Sequence, residues 1–286
     1  LLGTLDIVVT ANGSATGFVP RLGILDLPYV FRDRQHMYRV LDGPVGGRLR
    51  EAARDRGFRI LGFLDAGVRH IMTAERPVES YADLAGLKIR TMGVPAHLAS
   101  FKAFGAQAVA INYGEVYGSL QTGLIDGAET WMSAVAAFNM TPVVAQAVDL
   151  QFFCGAEHAA MSLDKFEELE PEYQDAIMES AFLTQSRVQG AHEAGLFNLV
   201  GATNPPQPGT TFHEYGVRVA KLPEAELRKA EEMAAPEFNP EPWEEWRERL
   251  NAWSGGHDVY KEIHGIAREI PRETLAQNVP ARRWWM

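Results

Sequence analysis

The chain has 286 residues, of which 46% are apolar and 22% are charged, and this balance excludes a wholly disordered protein. Its formal net charge of −10 excludes a nucleic-acid-binding surface, which needs clustered lysine and arginine to neutralise phosphates. The length is sufficient for two domains of moderate size.

The sequence also limits membrane, disulfide and metal chemistry. No apolar run reaches the roughly 20 residues that a membrane-spanning helix needs. A single cysteine, Cys154, excludes an intrachain disulfide and a cysteine-based metal site. Its apolar context, QFFCGAE, predicts a buried, unreactive thiol rather than a nucleophile. Because the chain begins without Met, we expect that upstream sequence, including a secretion signal, has been removed.

The first third of the chain predicts two strands separated by helical sequence. Ile7 to Thr10 form a β-branched run, and the residues after it, NGSATG, are typical of a loop that follows a buried strand. RDRQHMYRVLDGPVGGRLREAARDRG then has helical spacing and ends at Gly57. FRILGFLDAG predicts the second strand.

The middle of the chain alternates short strands with short helices. The predicted strands are VRHIMTA, LKIRT, AVAIN and LIDGAET, and the predicted helices between them are SYADLAG, PAHLASFKAFG and GEVYGSLQTG. Such alternation with short connections that end in glycine is typical of parallel α/β layers.

The last third is mainly helical. Leu163 to Val200 has an apolar period near 3.6 residues and is long enough for a helix that lies across two domains. GATNPPQPGTT contains three prolines and two glycines and predicts an exposed loop. The terminal RRWWM is expected to pack on the body of the protein or on a partner.

Two arginines are the strongest candidates for a binding site. Arg69 and Arg90 each lie where a predicted strand meets a loop, in consecutive units of the same layer. On adjacent parallel strands their ends would lie within about 5–10 Å of each other. The negative charge of a bound carboxylate would relieve the repulsion between them, and its two oxygens can accept two parallel hydrogen bonds from a guanidinium. The alternative is an internal ion pair with an Asp or Glu.

Other chemistries lack their required residues. SGGHD (254–258) holds Ser, His and Asp together, but no nucleophile elbow accompanies them, so we expect a loop. HEAGLF lacks the second histidine of a zinc helix. NGSATG has neither the phosphate-loop lysine nor the dinucleotide glycine pattern. We therefore expect no metal, no cofactor and no enzymatic activity.

Several motifs in order along residues 2 to 195 resemble one protein family. They are GTLDIVV, GFVPRLGILDLPYVFRD, VLDGPVG, RILGFLDAGVRH, ERPVESYADLAGLKIRT, FKAFGAQAVAINYGEVYGSLQTGLIDGAE and SLDKFEELEPEYQDAI. In residues and spacing they are similar to the dicarboxylate-binding proteins of tripartite ATP-independent periplasmic (TRAP) transporters.

The resemblance implies an α/β, two-domain fold of the type II periplasmic-binding-protein class, with hinge strands and a long domain-spanning helix that close on a ligand. We expect domain I to comprise residues 1–67 and 156–210, without the strand and helix that usually precede GTLD. Domain II would comprise residues 68–155 and 211–286, including the C-terminal helices.

The resemblance also implies a set of ligand-binding residues. Arg90 matches the arginine that pairs with the ligand carboxylate, and Arg69 matches a second arginine used by many members. Thr130 replaces an asparagine of many members and has a shorter reach. Trp131 would either face an apolar or ring-shaped ligand or pack under the hinge, and Glu129 would either meet a ligand amino or hydroxyl group or brace the hinge.

Topology adds four further candidates for the pocket. Asn12, Ser14 and Phe18 come from the loop after the first strand, and Phe153 lies on the predicted return crossing between the domains.

As implied by the family, the protein would be a monomeric periplasmic receptor that captures a small organic acid and delivers it to a TRAP membrane permease. The alternatives are a ligand-sensing module for a membrane receptor and, less favoured, an α/β enzyme that acts on an organic acid.

Overall fold

The predicted mixture of strands and helices forms one sheet with helices packed against it. The computed structural model describes residues 5–270 and 283–286. Within these residues the sheet has seven strands: β1 (Ile7–Ala11), β2 (Phe58–Thr73), β3 (Lys88–Thr91), β4 (Gln107–Ala110), β5 (Gly127–Thr130), β6 (Gln146–Ser162) and β7 (Arg218–Lys221).

Twelve α-helices surround the sheet in the same residues. They are α1 (Asn12–Ala15), α2 (Arg34–Leu41), α3 (Pro44–Arg54), α4 (Pro95–Ala103), α5 (Val116–Gln121), α6 (Met132–Ala137), α7 (Leu163–Glu167), α8 (Pro171–Gly195), α9 (Thr211–Tyr215), α10 (Glu224–Ala234), α11 (Glu244–Trp253) and α12 (Val259–Glu269). Short 3-10 turns precede several of them, including Pro20–Asp26 and Glu241–Trp243. Pro44 and Pro95 occupy first helical positions, where no amide donor is needed.

Two long antiparallel strands, β2 and β6, connect the two ends of the molecule. They have 16 and 17 residues and pair along almost their whole length. The strand order is β1-β6-β2-β5-β3-β4, with β7 beside β6. β3 runs parallel to both β4 and β5, as the strand and helix alternation predicts.

Separate apolar cores form at the two ends of β2 and β6, and they define two lobes. The first-lobe core contains Phe63 of β2 and Ala156 of β6, and α2 and α3 pack there. The second-lobe cores contain Ile71 of β2 and Val148 of β6. Helix α8, which is about 37 Å long at 1.5 Å per residue, packs against β2. This is the predicted arrangement of two α/β domains joined by hinge strands and a long helix.

The packing of two segments differs from the predicted domain division. Leu250 of α11 and Ile263 of α12 pack in the first-lobe core, although the division places these helices in domain II. Val200 packs with Phe212 in a second-lobe core, although the division places it in domain I. An apolar helical face shows that a helix is buried, but it does not show which of two cores buries it.

The prediction of two strands over residues 58–73 is wrong, because they form the single strand β2. Gly67 suggests a strand end, but it has a φ of +85° and lies at a bulge after Asp65. Glycine adopts this backbone conformation without steric cost, so the strand bends and continues.

The C-terminal tryptophans pack on the body of the protein. Trp284 and Trp285 join a small cluster with Phe166 and Met178, and the Arg50 guanidinium lies 3.7 Å from the Trp284 ring centre. Residues 201–210 form neither helix nor strand, as the proline-rich sequence predicts. Residues 1–4 and 271–282 of the predicted domains lie outside the described residues.

Candidate functional site

A small cavity lies between the two lobes, against the hinge strands. It is lined by Ala11, Asn12, Gly13, Leu25, Asp26, Arg69, Met92, His97, Trp131, Phe153, Cys154, Gly155 and Ala156. The lobes meet at its edge, where a Cβ on Gly13 would lie only 2.7 Å from Val94 Cγ2. The cleft is therefore closed.

Arg69 lies in this cavity and has an internal partner. It is opposite Phe153 in the pairing of β2 with β6 and is 4% exposed. Its guanidinium forms an ion pair with Glu129 and lies 3.9 Å from the Trp131 ring centre. Burial, and then the charge of Arg90, lowers the pKa of Arg69. Of the two possibilities left open by the sequence, the internal ion pair applies to this arginine.

Arg90 is also buried but has no such partner. Its Nε donates to the carbonyl oxygen of Ile111 at 2.8 Å, and its guanidinium lies 5.4 Å from the Tyr113 ring centre. Across residues 5–270 and 283–286, no carboxylate forms an ion pair with it. Burial lowers the pKa of Arg90, which is the electrostatic cost of a cation that lacks a counter-charge.

The two arginines do not lie on adjacent parallel strands, so that expectation is wrong. β5 lies between β2, which carries Arg69, and β3, which carries Arg90. In addition, β2 runs antiparallel to β5. The arginines still influence each other, because the positive charge of Arg90 acts on the pKa of Arg69.

Three consecutive residues at the end of β5 surround the arginines. Glu129 is fully buried, and besides Arg69 it accepts a long hydrogen bond of 3.4 Å from the Thr91 hydroxyl. The Thr130 hydroxyl donates to the Tyr113 hydroxyl at 3.4 Å, so it is held beside the ring that Arg90 contacts. Trp131 lines the cavity, where it could face a ligand, and it also packs against Gly155 of the hinge.

The remaining predicted residues separate into two places. Asn12 and Phe153 line the cavity, but Ser14 and Phe18 are exposed and line a different, largely apolar groove. The loop expected after the first strand is the short helix α1, in which positions i and i+2 point to opposite sides. The helical turn therefore directs Asn12 into the cavity and Ser14 away from it.

Sequence reasoning missed Asp26, His97 and Tyr113. His97 Nε2 lies 3.4 Å from Asp26 Oδ1, and its ring packs on Phe153 with 4.6 Å between ring centres. Burial lowers the pKa of His97, which favours the neutral ring. The sequence does contain an indication of Asp26, which interrupts the apolar run GILDLPYVF. A carboxylate in a buried run needs polar partners, so this position could have been chosen as a site candidate.

The Cys154 thiol is unsuited to nucleophilic chemistry. It is free and lies in the cavity wall, where burial raises its pKa to about 12. It is therefore protonated at neutral pH, as expected of an unreactive thiol.

Over the described ranges, no group of His, Cys, Asp and Glu is arranged to hold a metal ion. None of the described helices has the length and apolar character needed to cross a bilayer.

A larger apolar groove lies between β1 and α8, lined by residues such as Val9, Leu61 and Tyr173. No charged side chain lines it, so it offers nothing to hold an ionised acid. The cavity between the lobes is the better candidate for a ligand site, because Arg69 lines it and Arg90, although it does not line the cavity, is close enough to act on Arg69.

Comparison with known proteins identifies the relatives of this chain. The model of the family named bacterial extracellular solute-binding protein, family 7, matches residues 1–239. The chain is 34% identical over 186 residues to the 2,3-diketo-L-gulonate-binding periplasmic protein of Escherichia coli, and this match covers 63% of the chain and 55% of the relative. The matched region thus spans about half the length of the curated relatives.

Two solved structures have a similar fold. One is a TRAP periplasmic solute-binding protein from a Polaromonas species bound to D-erythronate, with 27% identity, a TM-score of 0.73, and coverage of 88% of this chain and 80% of that one. The other, from Chromohalobacter salexigens with bound D-glucuronate, has 24% identity, a TM-score of 0.78, and coverage of 92% and 81%. Both bear out the two-domain fold expected from the sequence.

Proposed function

Because the chain belongs to family 7 of the bacterial extracellular solute-binding proteins, we propose that it captures a small organic acid in the periplasm and delivers it to a TRAP-type membrane permease. The Polaromonas and Chromohalobacter proteins of similar fold hold sugar-derived acids, which supports a carboxylate as the ligand here. The receptor would be a monomer. It would have no catalytic turnover, since its one thiol is protonated and the SGGHD segment lies outside the cavity.

Arg90 is the observation that carries this proposal. Arg90 is 4% exposed, and the described residues supply its guanidinium with a carbonyl and an aromatic ring but no anion. Glu129 already compensates the charge of Arg69. A ligand carboxylate would supply the missing negative charge and accept two hydrogen bonds from the guanidinium.

Capture would follow from movement of the two lobes about β2 and β6. An open cleft would admit the acid, and closure would bring Gly13 of the first lobe against Val94 of the second. The bound acid would favour the closed state because only that state surrounds it with groups from both lobes. The permease would then need to recognise the closed form.

A thermal-shift screen against small organic acids tests the proposal. At a concentration of about 100 times its Kd, a bound acid stabilises the folded protein by about 2.7 kcal/mol, which raises the Tm of a chain this long by about 4–5 °C. We expect such a shift with one class of carboxylates. The absence of a shift with every acid, for protein that unfolds cooperatively, would overturn the proposed function.

A further inference from the structure

One wall of the cavity has a built set of polar groups that the arginines do not explain. Asn12 is 2% exposed, and its Nδ2 donates both hydrogens, to the Leu22 carbonyl oxygen at 2.9 Å and to Asp26 Oδ2 at 2.8 Å. His97 approaches the other oxygen of Asp26. These contacts fix the position of the Asp26 carboxylate at the cavity wall.

Several buried polar atoms of the lining residues have no hydrogen-bond partner among the described residues, and His97 Nδ1 is one of them. Two others are Asn12 Oδ1, which can only accept, and Trp131 Nε1, which can only donate. Leaving a buried polar atom unpaired costs about 1–3 kcal/mol. A hydroxyl group both donates and accepts, so a hydroxylated ligand can satisfy either atom, whereas a hydrocarbon ligand can satisfy neither.

The charges around the cavity limit the ligand to one carboxylate. Arg69 and Asp26 line the cavity. Glu129 and Arg90 lie outside its lining, but Glu129 pairs with Arg69 and the charge of Arg90 acts on Arg69. Glu129 pairs with Arg69, so Arg90 is the one cation of the described site without a counter-charge. A second ligand carboxylate would meet Asp26 without a cation to compensate it, and like charges brought this close repel each other.

We propose that the cavity selects hydroxylated monocarboxylic acids, with hydroxyl groups bound by Asn12 and Trp131 and with dicarboxylic acids repelled by Asp26. This inference rests on the proposed function and narrows its ligand class. Asp26 and His97 act in specificity, His97 by positioning the Asp26 carboxylate.

Acids matched in carbon number test the selection. Calorimetric titration would compare D-gluconate and D-erythronate with their hydroxyl-free counterparts, hexanoate and butyrate, and with the dicarboxylate D-glucarate. We expect at least one hydroxylated monocarboxylate to bind about 100-fold more tightly than its hydroxyl-free counterpart, because the latter leaves buried polar atoms unpaired. We expect it to bind at least tenfold more tightly than D-glucarate.

The outcomes separate this inference from the proposed function. Equal or tighter binding of hexanoate, butyrate or D-glucarate would overturn the selection rule while leaving an acid receptor. No binding of any of the five acids would overturn the selection rule, and the wider acid screen would then decide the proposed function separately.

Variants assign the selection to named residues. Asp26→Asn keeps the shape of the side chain, and we expect it to strengthen D-glucarate binding at least tenfold and to weaken binding of the preferred acid. Trp131→Phe keeps the ring but removes the donor, and it should weaken the preferred acid about tenfold without changing hexanoate. Asp55→Asn, at the exposed end of α3, is the matched control and should change nothing. Unchanged binding ratios in both Asp26→Asn and Trp131→Phe would refute the assignment.

Discussion

Gly155 is the position where one added methyl group most strongly perturbs the cavity wall. In Gly155→Ala the new Cβ would lie 2.5 Å from Trp131 Nε1 and 2.9 Å from the carbonyl oxygen of Gly67. Since favourable contact begins at about 3.5 Å, the Trp131 ring must move by about 1 Å. Overpacking of this kind costs about 1–3 kcal/mol, and we expect the free energy of unfolding to fall by that amount.

Ligand affinity should fall as well, because the displaced Trp131 ring would enter the cavity in which we propose that the acid binds. We expect a loss of at least tenfold by calorimetry with the acid that the thermal-shift screen identifies, and a lower midpoint in urea unfolding. Gly118→Ala is the control, since it lies in α5 with nothing within 4 Å of the new Cβ, and it should be neutral or slightly stabilising. If Gly155→Ala matched the parent protein in both measurements, the described packing of Trp131 on the hinge would be wrong.

Two further predictions concern stability. Burial lowers the pKa of His36 to about 4, so the unfolded chain binds the additional proton, and the free energy of unfolding should fall as the pH drops from about 6.5 to about 4. Urea unfolding across this range should show a shallower slope for His36→Gln than for the parent, and an equal slope would contradict the prediction. Trp243 is 1% exposed in the first-lobe core, and its Nε1 donates to the Ala234 carbonyl oxygen at 2.9 Å, so Trp243→Ala should lose about 3–5 kcal/mol of stability and Trp243→Phe about 1–3 kcal/mol. Thermal and urea unfolding of the pair measure this difference, and a Phe variant as unstable as the Ala variant would show that the hydrogen bond outweighs the packing.

The elements near Arg90 could be predicted because they depend on local sequence. LKIRT contains the strand β3, and Arg90 lies near the bend that follows it. The burial of Arg90 could not be predicted, because the period of two along a strand puts Arg90 on the same face as Lys88, which is exposed. The strand order could not be read in the same way, since nothing local shows that β5 enters between β2 and β3.

The polar wall of the cavity could not be predicted because it depends on contacts between distant segments. Asp26 and His97 are far apart in the sequence, and their side chains meet only because the cleft is closed. Ser14 and Phe18 show the opposite error, since they are close to Asn12 in sequence but line a different groove. Proximity in sequence was a poor guide wherever a short helix replaced the expected loop.

Calorimetric titration of the parent protein, Arg90→Ala and Lys88→Ala with one bound acid decides whether Arg90 holds the carboxylate. Lys88 lies on the same strand but is exposed, so it is a control for general loss of positive charge. We expect Arg90→Ala to lose about 2–5 kcal/mol of binding free energy, because the ligand charge would be buried without a partner, while Lys88→Ala binds as the parent does. Equal affinity in Arg90→Ala and the parent would contradict the assignment of Arg90 as the carboxylate-binding residue.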